Sequence, residues 1–273
     1  MHPPIRRALS AAFAAAMLLS PLGGAARAAE ADAEQLPVPP VPPRIAQGEE
    51  YERCLAMISN DPAGARAYAD AWEATGGGEG AQHCEALATV ADGATAKGAA
   101  MLDALAASSK APELARASLY AQAVQAWLIA DDAAHAFASA TLALSLSPDD
   151  PDLLIDRSIT TATMGRYLDS IDDLNRALTL APNRADALVL RGAAWRHEGK
   201  LDRAAADVGR ALSLEPQNPE ALLERGIIRQ RNGDAKGARA DWNEAMEVAP
   251  GSAAADLAQQ NLALLDAGPR TGN

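Results

Sequence analysis

A fixed interval separates four prolines in the second half of the chain, and it constrains the fold more than any other feature. The four are Pro148, Pro182, Pro216 and Pro250. Each closes a segment of the form Ala-Leu-x-Leu-x-Pro, with Met246 and Val248 as conservative variants in the last copy. This period, of roughly 34 residues, is typical of a helix-turn-helix unit. One such unit cannot bury its apolar face alone, so the repetition predicts a row of helical hairpins that share a continuous core.

Composition favours helices over a sheet. Hydrophobic residues make up 49% of the chain and charged residues 22%, which is the composition of a globular protein. Aromatic residues contribute only 4%, whereas alanine is abundant, and this favours thin, closely packed helices over strands of β-branched and aromatic residues. We therefore expect an all-α fold.

Small residues recur in the repeated unit where two helices must approach closely or where a helix must end. The approach points are Ser158, Gly192 and Gly226 in the first helix, and Ser170, Ala204 and Ala238 in the second. The breaks between the two helices fall at Gly165, Gly199 and Gly233. Glycine suits a break because it readily adopts the positive φ of a helix C-terminus.

With these residues, the chain resembles a tetratricopeptide repeat protein. The resemblance covers units 151–184, 185–218 and 219–252, and a degenerate unit, 117–150, in which Val124 and Asp131 replace the expected glycines. The unit 185–218 carries the family pattern in Leu188, Gly192, Trp195, Gly199, Ala204, Val208, Ala211 and Pro216. The resemblance implies a right-handed α-solenoid of about six helical hairpins, with the four units lying within residues 111–252.

The two ends of the stack follow weaker patterns. Residues 51–78 read as a helix, a helix start at Asp61-Pro62, a second helix and a glycine stop, and residues 81–108 repeat that arrangement. We interpret residues 49–110 as degenerate N-terminal hairpins.

At the other end, residues 253–268 are predicted to form a solitary capping helix. Its apolar positions are Leu257, Leu262 and Leu265, with polar side chains between them. Such a helix would seal the apolar face of the last repeat.

Residues 1–28 have the three-part layout of a secretory signal peptide. The parts are Arg6 and Arg7, an apolar run over residues 8–22, and a small-residue cleavage site at residues 26–28. The alternative is a membrane anchor, but the run is shorter than the roughly 20 residues that a spanning helix needs. We predict cleavage after Ala28, a periplasmic mature protein without direct membrane insertion, and a Pro-rich linker over residues 29–48.

The charge of the mature chain limits its partners. Cleavage leaves 21 of the 24 basic residues against all 36 acidic ones, a net charge of −15. Nucleic acid and anionic membrane surfaces attract clustered Lys and Arg, so we expect neither as the main partner.

Two cysteines, Cys54 and Cys84, occupy equivalent places in the first helices of the two N-terminal hairpins. With an export signal and an even cysteine count, a disulfide is the natural interpretation. A zinc site that also uses His83 has the wrong geometry, because adjacent residues on a helix point about 100° apart and too few ligands remain.

The motifs of common catalytic sites are missing from the sequence. It has no GxSxG elbow, no HExxH pair and no GxxxxGK[ST] phosphate loop. His83, His135 and His197 lie in separate units without a recurring carboxylate partner, and we interpret them as surface or packing residues. We predict a protein that is not an enzyme and that uses no cofactor or metal.

One charged pattern repeats with the hairpins. Arg157, Arg191 and Arg225 recur on the first helix, and Asp173, Asp207 and Asp241 follow them on the second at a constant separation along the chain. A ladder of salt bridges within the repeats explains the pattern. A row of arginines that contacts a ligand is the alternative.

In tetratricopeptide proteins the first helices line a concave groove that binds peptides or protein segments. The resemblance assigns this face to Asp152, Ile155, Ile159, Asp186, Val189, Ala193, Arg196, Glu220, Leu223, Ile227 and Arg231. We expect the apolar members to face the groove, although they could instead pack between helices. The acidic and basic members favour an amphipathic partner segment with some basic residues.

These patterns favour a non-catalytic interaction scaffold or adaptor of the bacterial cell envelope. The Lys and Asn residues by which some family members hold a C-terminal carboxylate are missing. Two alternatives stay open: an accessory subunit of an envelope enzyme or assembly machine, and a structural protein that self-associates.

Overall fold

The computed structural model describes residues 44–268, which form thirteen α-helices and no strand. The predicted signal peptide, residues 1–28, and residues 29–43 of the predicted linker lie outside the described residues. The helices are α1 (Glu49–Ile58), α2 (Pro62–Glu73), α3 (Gly78–Ala91), α4 (Thr95–Ser108), α5 (Glu113–Ile129), α6 (Ala133–Leu146), α7 (Pro151–Thr163), α8 (Tyr167–Leu180), α9 (Ala185–His197), α10 (Leu201–Leu214), α11 (Pro219–Arg231), α12 (Ala235–Val248) and α13 (Ala253–Ala267). Within residues 44–268, no helix combines the length and apolar character needed to cross a bilayer.

The helices pair in chain order into six hairpins, from α1–α2 to α11–α12, and α13 packs against α11 and α12 as a single helix. The all-α solenoid of helical hairpins expected from the repeat is confirmed. The period is kept in the structure, since α7, α9 and α11 begin at Pro151, Ala185 and Pro219, at the same interval as the four prolines. The first helix of the degenerate unit begins earlier than expected, at Glu113, directly after Pro112.

Local sequence signals fix where the helices begin and end. Asp150 caps α7 by accepting hydrogen bonds from the backbone N–H groups of Asp152 and Leu153, and Asn218 caps α11 through the N–H of Ala221. Proline follows both caps at the first helical position, where its missing N–H costs no hydrogen bond.

The turn inside each hairpin requires a left-handed backbone. Gly165, Gly199 and Gly233 have φ angles of 75°, 70° and 84°. In the degenerate unit Asp131 adopts the same conformation, with φ of 62°, although it carries a side chain. The turn geometry therefore survives the loss of its glycine, with strain at one residue.

Small residues allow the two helices of a hairpin to approach closely. A Cβ atom on Gly226 would lie 2.3 Å from the indole Nε1 of Trp242, and one on Gly192 would lie 2.7 Å from a methyl carbon of Val208. Leu154, Leu188 and Leu222, at one equivalent place of successive repeats, are completely buried. The repeated small and large residues thus build one continuous core along the stack.

The predicted ladder of salt bridges is present in all three repeats. Arg157 and Arg191 each bind their aspartate through two hydrogen bonds, of 2.6 and 2.8 Å. Arg225 donates twice to one oxygen of Asp241, at 3.0 and 2.6 Å. The three aspartates are buried, so the arginines are committed to partners inside the protein, as a structural role requires.

The structure places the two predicted cysteines in a geometry compatible with a disulfide. The Sγ atoms of Cys54 and Cys84 are bonded at 2.00 Å, and the Cα atoms lie 6.2 Å apart. The bond joins α1 to α3 within a small cluster of buried residues separate from the main core.

Candidate functional site

The first helices of the hairpins form the inner face of the stack. Successive first helices contact one another at α1–α3, α5–α7, α7–α9 and α9–α11, and α11 contacts α13. Within residues 44–268, no two second helices of successive hairpins approach as closely. Because the first helices pack more closely than the second helices, the stack curves toward the first helices. We call the exposed surface of α1, α3, α5, α7, α9 and α11 the first-helix face.

Two cavities open on this face. The first lies between α7, the start of α8, and α9, has a volume of about 270 Å³, and is called the central cavity. The second lies between α1, α3 and α5, has a volume of about 350 Å³, and is called the N-terminal cavity. The first helices therefore offer two separate concave places for a ligand.

The central cavity contains two residues that the sequence assigned to the groove. Ile159 of α7 and Ala193 of α9 are both half-buried and line it together with Leu190. Tyr167 and His197 form its aromatic edge, with ring centroids 4.2 Å apart and an angle of 13° between the rings. Desolvation, with the positive charges of the neighbouring arginines, lowers the pKa of His197 and favours its neutral form.

The other apolar groove residues lie deeper than expected. Ile155, Val189 and Leu223 are only 6%, 8% and 9% exposed and belong to the core, so the expectation that they face the groove is wrong. The reason is that successive first helices contact one another directly and leave little of this row uncovered. Ile227 is half-buried and packs against the same core.

The acidic groove residues are partly neutralised by an arginine that the sequence analysis did not select. Arg184 donates a hydrogen bond to Asp152 at 2.5 Å and two to Asp186, at 2.7 and 3.0 Å. Glu220 is exposed and forms no ion pair with another residue of the described chain. The cluster of Asp152, Arg184 and Asp186 keeps one net negative charge on the first-helix face.

The basic side of the predicted groove needs a correction. Arg196 is buried in a salt bridge with Glu224 of the next hairpin, where its Nη2 lies 3.2 Å from Oε2, so it is not available to a ligand. Arg231 is exposed, and its Nη1 donates to the carbonyl of Arg196 at 3.3 Å. The partner of Arg196 was missed because Glu224 occupies a place that is Leu190 in the preceding repeat.

A half-buried carboxylate occupies the place equivalent to Glu224 two repeats earlier in the chain. Asp156 of α7 accepts a hydrogen bond from the side-chain amide of Gln125 at 2.7 Å. Burial, with the negative charge of Asp152 one turn away, raises the pKa of Asp156 to about 7. The equivalent residues of other repeats are Gln122, Leu190 and Glu224, so this place varies although its surroundings repeat.

Several solved structures share this architecture. No protein-family model and no curated protein matches the chain. A thermophilic TPR protein of Thermus thermophilus, TTC0263, superposes with a TM-score of 0.55 and 18% identity, over 68% of this chain and 98% of that one. The described chain has the tetratricopeptide repeat fold.

Two other structures have similar tetratricopeptide-like stacks. MamA 41-end from Desulfovibrio magneticus RS-1 has a TM-score of 0.51 and 17% identity, over 74% of this chain and 97% of that one. A chain of the APC/C hetero-tetramer Cut9-Hcn1 has a TM-score of 0.57 and 16% identity, over 78% of this chain and 43% of that one. At this level of identity the similarity concerns the fold alone.

The tetratricopeptide stack brings no metal-binding cluster together in the described part of the chain. Within residues 44–268, no group of three or more His, Cys, Asp and Glu side chains is arranged to hold a metal ion. His83, interpreted above as a surface or packing residue, is buried beside the disulfide and forms two hydrogen bonds in the N-terminal cavity.

Proposed function

We propose that the protein is a non-catalytic scaffold or adaptor that binds a protein or peptide segment on its first-helix face. The central cavity carries the proposal, because an apolar floor formed by Ile159, Leu190 and Ala193 lies open beside an aromatic edge on the inner side of the stack. An apolar cavity with few polar groups accepts an apolar anchor of a partner.

We further propose that the protein works in the bacterial cell envelope. The signal-peptide layout of residues 1–28 and the bond between Cys54 and Cys84 support this place, because disulfides persist in oxidising compartments such as the periplasm. Mature protein recovered from a periplasmic extract should begin near Ala29 and carry no free thiol. Protein that stays in the cytoplasm with both thiols reduced would contradict this assignment.

The exposed carboxylates in the first turns of the first helices support a partner segment with basic residues. Asp152 and Glu220 are exposed, whereas Arg184 and Arg196 are occupied by carboxylates of the protein itself. The proposed partner is therefore an amphipathic segment, held by apolar anchors in the cavity and oriented by basic residues that contact these carboxylates.

Filling the central cavity tests the proposal. Ala193→Trp places a large side chain in the cavity, and Ala206→Trp places the same side chain on the exposed surface of second helix α10 as a matched control. Mature wild-type and variant proteins would be cross-linked in envelope extract, and the recovered partners would be quantified by mass spectrometry.

We expect both variants to keep the circular dichroism and melting temperature of the wild type. Ala193→Trp should lose the partner that the wild type and Ala206→Trp both recover. Equal recovery by a folded Ala193→Trp would move the binding site away from the central cavity.

A further inference from the structure

The N-terminal cavity lies where the row of first helices is widest. Helices α3 and α5 approach each other less closely than the other neighbouring first helices, and α1 closes the gap from the N-terminal side. The cavity has an apolar floor and a polar wall. Its floor is formed by Ile45, Leu55, Leu87, Ala115 and Leu119, and its wall by Arg44, Tyr51, His83, Ser118 and Gln122.

A buried chain of hydrogen bonds orders the polar wall. The hydroxyl of Tyr51 lies 2.5 Å from Nδ1 of His83, and Nε2 of His83 lies 2.6 Å from Oε1 of Gln122. Because a carboxamide oxygen only accepts, Nε2 carries the proton of a neutral imidazole and Nδ1 accepts from the tyrosine. Burial supports this state, since it lowers the pKa of His83 and raises the pKa of Tyr51 to about 12.

The chain of hydrogen bonds fixes the side chain of Gln122. With Oε1 held by His83, the amide group of Gln122 turns its two N–H donors away from the imidazole. No residue within 44–268 accepts a hydrogen bond from this amide or from the hydroxyl of Ser118, and both side chains are half-buried at the cavity. The wall therefore presents unused donors beside an apolar floor, and a matching ligand supplies an acceptor next to an apolar group.

The charges at the rim argue against an anionic acceptor. Arg44, the charged residue of the cavity lining, is paired with Glu52. This pairing neutralises the guanidinium group, so the lining offers an anion no unpaired arginine. A neutral carbonyl thus fits the donors better than a carboxylate or a phosphate.

We propose that the N-terminal cavity is a second anchor site, in which one large apolar side chain of an extended peptide enters and Gln122 donates to a main-chain carbonyl of that peptide. This inference rests on the proposed function, because both cavities open on the first-helix face and serve the same bound segment. It adds a specific recognition element: the Tyr51–His83–Gln122 chain of hydrogen bonds holds a donor in position before the ligand binds.

The disulfide keeps the site assembled. Helix α1 supplies Tyr51 and Leu55 to the cavity, and it packs mainly against α2 and α3. The bond between Cys54 and Cys84 ties this terminal helix to α3 beside His83. Reduction should therefore weaken ligand binding in this cavity without disturbing the central one.

Nuclear magnetic resonance of the full mature chain tests the proposal with a small probe. The side-chain amide signals of Gln122 would be identified by their loss in Gln122→Met and followed during titration with N-acetyl-L-leucinamide. We expect these signals to shift, and N-acetylglycinamide to bind about tenfold more weakly, since partial burial of a leucine side chain accounts for a factor of that size.

Matched variants separate this site from the central cavity. Ser118→Phe fills the N-terminal cavity, and Ser145→Phe places the same ring on the exposed surface of α6. Probe binding should be lost in Ser118→Phe and kept in Ser145→Phe and Ala193→Trp. Absence of a Gln122 shift in the folded wild type would overturn this inference while the partner test at Ala193 stood independently.

Two further outcomes would also overturn it. Equal shifts with the leucine and glycine probes would show that the apolar floor takes no side chain. Shifts with a synthetic peptide of residues 36–43, LPVPPVPP, but not with the leucine probe would assign the cavity to the Pro-rich segment of this chain instead of a partner.

Discussion

Replacing Asp156 with asparagine should stabilise the protein in a way that depends on pH. Its pKa is about 7 in the folded protein against an ordinary value of 3.8, because burial penalises the charged form. At about 1.36 kcal/mol per pH unit, ionising Asp156 therefore costs about 4 kcal/mol more in the folded protein than in the unfolded one. A raised pKa contributes stability that is fully present below 3.8 and is lost as the pH rises to about 7.

The isosteric variant removes the cost of the buried charge and keeps the hydrogen bond, since an asparagine oxygen can still accept from Gln125. We expect Asp156→Asn to raise the free energy of unfolding by about 4 kcal/mol near pH 8, and by about 1 to 2 kcal/mol near pH 5. Asp172→Asn, on the exposed surface of the same repeat, is the matched control and should change stability by less than about 0.5 kcal/mol.

Urea unfolding followed by circular dichroism at the two pH values measures both variants against the wild type. The reasoning depends on the difference between the two conditions, which separates the titration of Asp156 from any general effect of the amide. An equal gain at both pH values, or no gain near pH 8, would refute the claim that a buried charge at Asp156 destabilises the stack.

Three other perturbations follow from the contacts described above. Replacing both Cys54 and Cys84 with alanine should lower the free energy of unfolding by about 3 to 4 kcal/mol, because the bond closes a loop of 30 residues. Urea unfolding of the non-reduced wild type and variant measures this difference, and equal stability would contradict a stabilising role for the bond. Asp131→Gly should raise stability by about 0.5 to 1 kcal/mol by relieving the left-handed strain, and a lower melting temperature would disprove this. Glu224→Gln should lower the free energy of unfolding by about 3 kcal/mol, because it leaves the guanidinium group of Arg196 without its carboxylate partner. A variant as stable as the wild type in urea unfolding would contradict the buried pair.

The repeated features of the fold could be predicted from the sequence because each is encoded several times. The interval between prolines set the hairpin boundaries, and the separation between Arg157 and Asp173 recurred in each unit, so the salt bridge could be inferred. The disulfide followed from the equivalent places of Cys54 and Cys84 in two adjacent hairpins. Asp131 shows that the turn is set by the stack even where its glycine is replaced.

The features that differ between repeats could not be predicted in the same way. The spacing of residues places Val189 on a face of α9 but does not say how closely α7 and α11 approach that face, and this distance decides its burial. Arg196 and Glu224 pair across hairpins, at a separation of 28 residues, and the equivalent positions of the other repeats hold no such pair of charges. Glu224, a charged residue at a place that is Leu190 in the preceding repeat, was the available signal for this pair.

The N-terminal cavity was missed for a related reason. It needs side chains from three hairpins whose repeat pattern is weak, and His83 became informative only when Tyr51 and Gln122 were seen on either side of it. In the sequence, His83 has no recurring carboxylate partner, which suggested a surface or packing residue.

Site-directed photo-cross-linking in living cells tests most directly whether the first-helix face holds a partner segment. A photo-reactive benzoylphenylalanine would replace Ile159 in the central cavity, or Ala206 on the outer surface of α10, and the adducts would be identified by mass spectrometry. We predict one defined adduct from position 159, mapped to an amphipathic segment of another protein, and none from position 206. Adducts from position 206 alone would contradict the assignment of binding to this face.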